Sequence, residues 1–125
     1  STSRGLGDVY KRQECRINAE NSRNFTPSPG KINYINIPGG RGVRVDTAIY
    51  TNYNVSPHYD SLVLKLICKA PTREEAIKIM LRSLNELIIE GIDTNIELHK
   101  WVLTQKEFLN GSYSTNWLEK VITKF

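Results

Sequence analysis

The sequence predicts an α+β fold, an antiparallel β-sheet packed with C-terminal helices. Three observations predict it. Strand-type alternation is confined to residues 14–69, a long amphipathic helix opened by a capping box follows, and shorter helical stretches close the chain. With 125 residues, 39% hydrophobic and 24% charged, one domain can bury a core and the chain is not compositionally disordered.

Glu14 to Glu20 (ECRINAE) has the period of a short strand, with Cys15, Ile17 and Ala19 on one face and Arg16 and Asn18 on the other. Asn21 to Gly30 (NSRNFTPSPG) is loop chemistry, since two prolines and a glycine cannot continue a ladder. Lys31 to Ile37 reads as a strand ended by Pro38-Gly39-Gly40. Val43 to Tyr50 (VRVDTAIY) alternates most clearly, placing Val43, Val45, Thr47 and Ile49 opposite Arg44, Asp46, Ala48 and Tyr50. Ser61 to Lys69 (SLVLKLICK) is apolar on both faces and predicts an interior strand. Thr72 and Glu75 then form a capping box. Ile77, Met80, Leu81, Leu84, Leu87 and Ile88 follow at helical spacing, with Gly91 as the expected C-terminal cap and Glu74–Lys78 as an i,i+4 pair. Asn95 to Leu103 and Thr115 to Lys124 predict two further helices.

The formal charge of +4 invites a nucleic-acid reading, but its distribution argues against one. Residues 1–13 (STSRGLGDVYKRQ) are polar and aperiodic, and DVYKRQ resembles the translated end of a sequencing-library transposon. That segment is expected to be a disordered, non-native addition, with the domain spanning 14–125 and representing a fragment of a longer protein. It holds Arg4, Lys11 and Arg12 against Asp8, leaving 14 basic and 12 acidic residues elsewhere. No apolar run approaches the roughly 18 residues of a membrane span, and no hydrophobic signal segment opens the chain, so a soluble, non-secreted protein is expected. Two cysteines, Cys15 and Cys68, match neither a disulfide scaffold nor a zinc ligand set, which fits a reducing compartment.

Residue by residue, the bland alternatives dominate. Pro38-Gly39-Gly40-Arg41-Gly42 leads into a strand rather than a helix, so a tight turn is favoured over a phosphate loop. His58 and His99 lack a second ligand at i+3 or i+4, and no metal site is expected. Cys68 sits mid-strand as inert core, and Cys15 has no base beside it to make a nucleophile. Tyr34, Tyr50, Tyr53 and Tyr59 suit half-buried sheet faces as well as base stacking. Composition and spacing alone therefore give a small α+β domain without a mechanism.

Seven strings considered together carry more. ECRINAE (14–20), PSPGKI (27–32), PGGRGVRVDT (38–47), HYDSLVLKLIC (58–68), TREEAI (72–77), ELIIEGIDTN (86–95) and NWLEK (116–120) resemble, in order and spacing, the C-terminal domain of biotin carboxylase. The resemblance covers residues 14–125. It implies a component of an enzyme that uses ATP, Mg2+ and bicarbonate to form carboxyphosphate and then carboxylates N1 of biotin on a carrier protein. The ATP-cradling loop, metal-binding glutamates and bicarbonate site of that family lie upstream of the matched region. The isolated domain is accordingly expected to be inactive.

By motif position, the resemblance implies that Arg16 faces the ureido oxygen of biotin. A guanidinium keeps its proton and offers a planar fork of donors to charge developing there. One such donor is typically worth about 3–4 kcal/mol. Thr115, where a branched aliphatic can stand in the family, implies a contact near adenine. Arg44 matches a dimer-interface arginine, and Arg41 stands at the same interface where some members carry an aromatic. Asp60 and Lys65 are expected to be structural, pairing at the start of their strand. Implied partners are the biotin carboxyl carrier protein, carboxyltransferase subunits and a second copy of the enzyme, with no nucleic acid and no membrane. The chain ends five residues after NWLEK, which favours a stand-alone subunit of acetyl-CoA carboxylase in fatty acid synthesis, in a bacterial cytoplasm or plastid stroma. The alternatives are propionyl-CoA, methylcrotonyl-CoA or pyruvate carboxylase and, in another class, a non-catalytic RNA-binding module.

Overall fold

Alternation in the first half of the chain builds a three-stranded antiparallel sheet. The computed structural model describes residues 11–58, 60–111 and 116–125. Strand β1 (Lys11–Asn18) pairs with β6 (Leu62–Ala70), which also pairs with β4 (Val43–Thr47), giving the order β1-β6-β4. Between them in sequence lie β2 (Gly30–Lys31), β3 (Tyr34–Asn36) and β5 (Asn54–Val55), with β2 paired to β5. As its two-faced apolarity predicts, β6 is the interior strand.

Lys11, Arg12 and Gln13, expected to belong to a disordered tail, instead continue β1 opposite Ala70, Lys69 and Cys68. Ladder pairing asks only for extended backbone, which the exposed Lys11 and Arg12 supply without burying anything. Residues 1–10 lie outside the described residues.

Directly paired residues share a face of a sheet, so register sorts the side chains. One face carries Cys15, Ile17, Val43, Val45, Leu64, Leu66 and Cys68. Helix α1 (Arg73–Glu86) lays Ile77, Met80 and Leu84 against it in one core cluster. Thr72 caps α1, its hydroxyl accepting from the Glu75 amide at 3.1 Å, and Glu74 and Glu75 set negative charge on the positive helix end. Lys78 and Glu74 meet at 3.7 Å. Buried Ser83 lies 3.9 Å from the Cys68 thiol, so its hydroxyl has a polar neighbour in the core.

The helix stops five residues short of Gly91. Leu87 turns extended and Ile88–Glu90 forms β7, paired with β3, while the Asn36 side-chain amide donates to the Glu86 carbonyl at 2.8 Å. The 3.6-residue period favoured a longer helix, but a waiting partner strand suits β-branched Ile88 and Ile89 better. Gly91, read as a helix cap, is a point of close approach: at φ 109°, its added Cβ would sit 2.2 Å from the Lys31 carbonyl oxygen. The predicted Lys31–Ile37 strand is likewise split, since β2 and β3 have different partners. Helices α2 (Ile96–Leu103), α3 (Lys106–Asn110) and α4 (Trp117–Ile122) complete the chain, α3 being unforeseen.

The Pro38–Gly42 stretch is a turn, with the Val43 amide donating to Gly40 O at 3.2 Å. Gly42, at φ 78°, brings its backbone against β6; a Cβ there would lie 2.6 Å from Lys69 O. Tyr50 and Tyr53 meet edge to face, and Tyr53 packs against the core.

Candidate functional site

The face of the sheet opposite α1 is charged. Its rungs are Arg12 with Lys69, Glu14 with Ile67 and Arg44, and Arg16 with Lys65 and Asp46. Alternation explains the placement of Arg16: burial of Cys15 and Ile17 on one side sends the residue between them to the other. Its side chain is 53% exposed, and Nη1 lies 3.9 Å from Glu14 Oε2. That separation is too long for a hydrogen bond, so the guanidinium can turn its donors to a ligand. Glu14 also meets Arg12 at 3.1 Å, and Arg44 Nε meets Asp46 Oδ1 at 3.0 Å.

The backbone at Arg16 is held more firmly than its side chain. The Asn95 amide donates to Arg16 O at 3.2 Å, and His99 Nε2 lies 2.9 Å from the same oxygen. Asn95 Oδ1 accepts from the Asn18 amide at 2.8 Å. Burial pushes the His99 pKa down, outweighing the opposing pull of the Arg16 carbonyl and Glu20, so the ring is neutral at pH 7. Sequence reasoning missed both residues. Their i,i+4 spacing at the start of α2 was visible, but nothing local names a carbonyl on a distant strand as their target.

Lys65 and Asp46 line a cleft of about 240 Å3 that also includes Tyr53, Ser56 and Asp60. The expected Asp60–Lys65 pair is absent from the ion pairs among the described residues. Asp60 Oδ1 instead accepts from the Leu62 amide at 3.1 Å, because a carboxylate two residues ahead finds that donor without ordering a long lysine chain. Arg41 is exposed in the turn, and Arg44 is 72% exposed on edge strand β4. Thr115 lies outside the described residues.

Both cysteines are buried. Desolvation pushes the Cys15 pKa up to about 12, with smaller contributions from Cys68 and Glu14, and burial raises Cys68 as well. Such thiols are poor nucleophiles. Among the described residues, no group of three or more His, Cys, Asp or Glu side chains could hold a metal ion. No helix among them is long and apolar enough to cross a membrane.

This fold and charged face match a known domain. The model of the biotin carboxylase C-terminal domain family matches residues 14–120. Biotin carboxylase of Haemophilus influenzae is 51% identical over 107 residues, which are 86% of this chain and 24% of that protein. The structure of a biotin carboxylase-beta-gamma-ATP complex from Campylobacter jejuni superposes with a TM-score of 0.84 at 42% identity, covering 87% of this chain and 24% of that one. The biotin carboxylase domain dimer of Hydrogenobacter thermophilus 2-oxoglutarate carboxylase, in complex with MgADP, ADP and bicarbonate, gives 0.86 at 38% identity, covering 91% and 26%. The chain belongs to the biotin carboxylase C-terminal domain family. It spans about a quarter of the length of the biotin carboxylases it matches.

Proposed function

We propose that this chain is the C-terminal part of an ATP-dependent biotin carboxylase and supplies one wall of its active site. Biotin, presented by a carrier protein, supplies a ureido nitrogen that accepts the carboxyl group while negative charge gathers on the ureido oxygen. Arg16 meets that charge. Its guanidinium stays protonated, stands outward from the sheet and is tied only by the long contact to Glu14. Charge-assisted donors aimed where charge develops are stronger than neutral ones and need no reorganisation as the reaction proceeds. The groups that bind ATP, Mg2+ and bicarbonate belong to the upstream part of such an enzyme.

The observation that carries this reading is the outward, uncommitted guanidinium of Arg16 on a clamped backbone. Bicarbonate fixation into biotin by the full-length protein tests it. Arg16→Ala is expected to lower turnover by about two to three orders of magnitude with the melting temperature unchanged. Wild-type turnover in that variant removes Arg16 from the reaction.

Three finer assignments belong to the same proposal. Arg41 and Arg44 contribute to a homodimer interface, their exposure on the β4 edge being the support. Thr115 adjoins the adenine pocket on sequence position alone. The acceptor complex is acetyl-CoA carboxylase, with a biotin carboxyl carrier protein and carboxyltransferase subunits as partners, in a bacterial cytoplasm or plastid stroma. Its support is the higher identity to a protein named biotin carboxylase than to the 2-oxoglutarate carboxylase domain. Reconstitution with carboxyltransferase subunits and a panel of acyl-CoA and keto-acid acceptors separates the carboxylase types.

A further inference from the structure

Strand β1 is an edge strand, with β6 on one side and no strand on the other. The Arg16 carbonyl and Asn18 amide face that open edge, where an unpaired backbone would be left to solvent. Helix α2 supplies the missing partners. Asn95 grips both groups through one side chain, at 3.2 Å and 2.8 Å. His99 Nε2 adds a second contact to the carbonyl at 2.9 Å. A carbonyl oxygen only accepts, so Nε2 carries the proton and both lone pairs of the oxygen are filled. The clamp closes through backbone as well: Asn95 N donates to Asn18 O at 3.3 Å, and His99 N to Asn95 O at 3.1 Å. It sits beside the break in β1–β6 register between Ile17 and Asn18, where the ladder itself holds the strand least evenly.

We propose that His99 and Asn95 are positioning residues for Arg16, fixing the peptide plane from which its guanidinium reaches the reacting group. The inference rests on the reading of Arg16 as the arginine that acts in carboxylation. A long side chain magnifies a small rotation at its Cα, and misplacement by about 1 Å can cost as much as a hundredfold in rate. A purely structural clamp would lower stability and leave the turnover of folded enzyme alone.

A double-mutant cycle in the full-length enzyme separates the two roles. His99→Leu removes the donor at similar size, and His99→Gln restores an uncharged N–H. We expect His99→Leu to lower kcat for biotin carboxylation about tenfold to a hundredfold with little change in KM for biotin. His99→Gln should recover most of the loss, and His99→Leu should cost nothing further in an Arg16→Ala background. An unchanged kcat, or an equal fall with and without Arg16, overturns the proposal. Should His99→Leu not fold, the same cycle with Asn95→Asp, which keeps the acceptor for Asn18 and loses the donor to Arg16, decides the question by the same criteria. If Arg16→Ala itself carboxylates biotin at the wild-type rate, the reading of Arg16 fails rather than the clamp alone.

Discussion

Gly91 and Lys31 meet so closely that a Cβ on the glycine would lie 2.2 Å from the lysine's carbonyl oxygen. The contact joins the chain after β7 to the β2–β3 region, and Asn33 N donates to Glu90 O at 2.7 Å beside it. At φ 109° the backbone also disfavours any side chain. Gly91→Ala should therefore cost about 2–4 kcal/mol from strain and overpacking together. Urea denaturation checks this; a loss below about 0.5 kcal/mol, the size of an ordinary surface change, would contradict the packing described.

Core and charged face should respond differently to truncation. Leu84 is fully buried between α1 and the sheet, and Leu84→Ala should cost about 2–5 kcal/mol. Arg44→Ala breaks a pair with both side chains exposed and should change monomer stability very little. Denaturation midpoints of the two variants, measured side by side, test the assignment of faces.

The cysteines should resist modification in the folded protein. A pKa of about 12 leaves Cys15 about a thousandfold less thiolate than its ordinary value of 9.0 near neutral pH, and burial bars the reagent from both thiols. Iodoacetamide followed by intact-mass measurement should show no rapid adduct until denaturant is added. Prompt labelling without denaturant would place at least one thiol outside the core.

His99 makes stability pH-dependent in a defined direction. Its pKa is lowered on folding by burial, against the Arg16 carbonyl and Glu20, so below pH 6.5 the unfolded chain binds more protons than the folded one. The contribution is complete above the unfolded value and is lost as pH falls through the folded value. Wild type should lose more stability than His99→Gln between pH 7.5 and about pH 5. Parallel loss in both would show that His99 is not the titrating group.

Much of this architecture was legible because its causes are local. The Thr72 capping box, the β4 alternation and the two-faced apolarity of β6 each follow from neighbouring side chains, and each lies where expected. The exposure of Arg16 followed from the same period of two. The failures share another cause: long-range partners decide them. Ile88 and Ile89 fit a helix until β3 offers a ladder. Gly91 looks like a cap until Lys31 arrives against it. Asp60 satisfies a nearby amide rather than Lys65, and His99 looked solitary because its partner is a backbone oxygen 83 residues away in sequence. Backbone targets carry no residue-type signal, so no pattern of side chains announces them.

The most direct test of the account is the rate of bicarbonate fixation into biotin by the full-length enzyme carrying Arg16→Lys. Lysine keeps the positive charge but loses the planar fork and its reach. The account predicts kcat reduced about a hundredfold or more, with the fold and melting temperature preserved. A rate within a few-fold of wild type would contradict it.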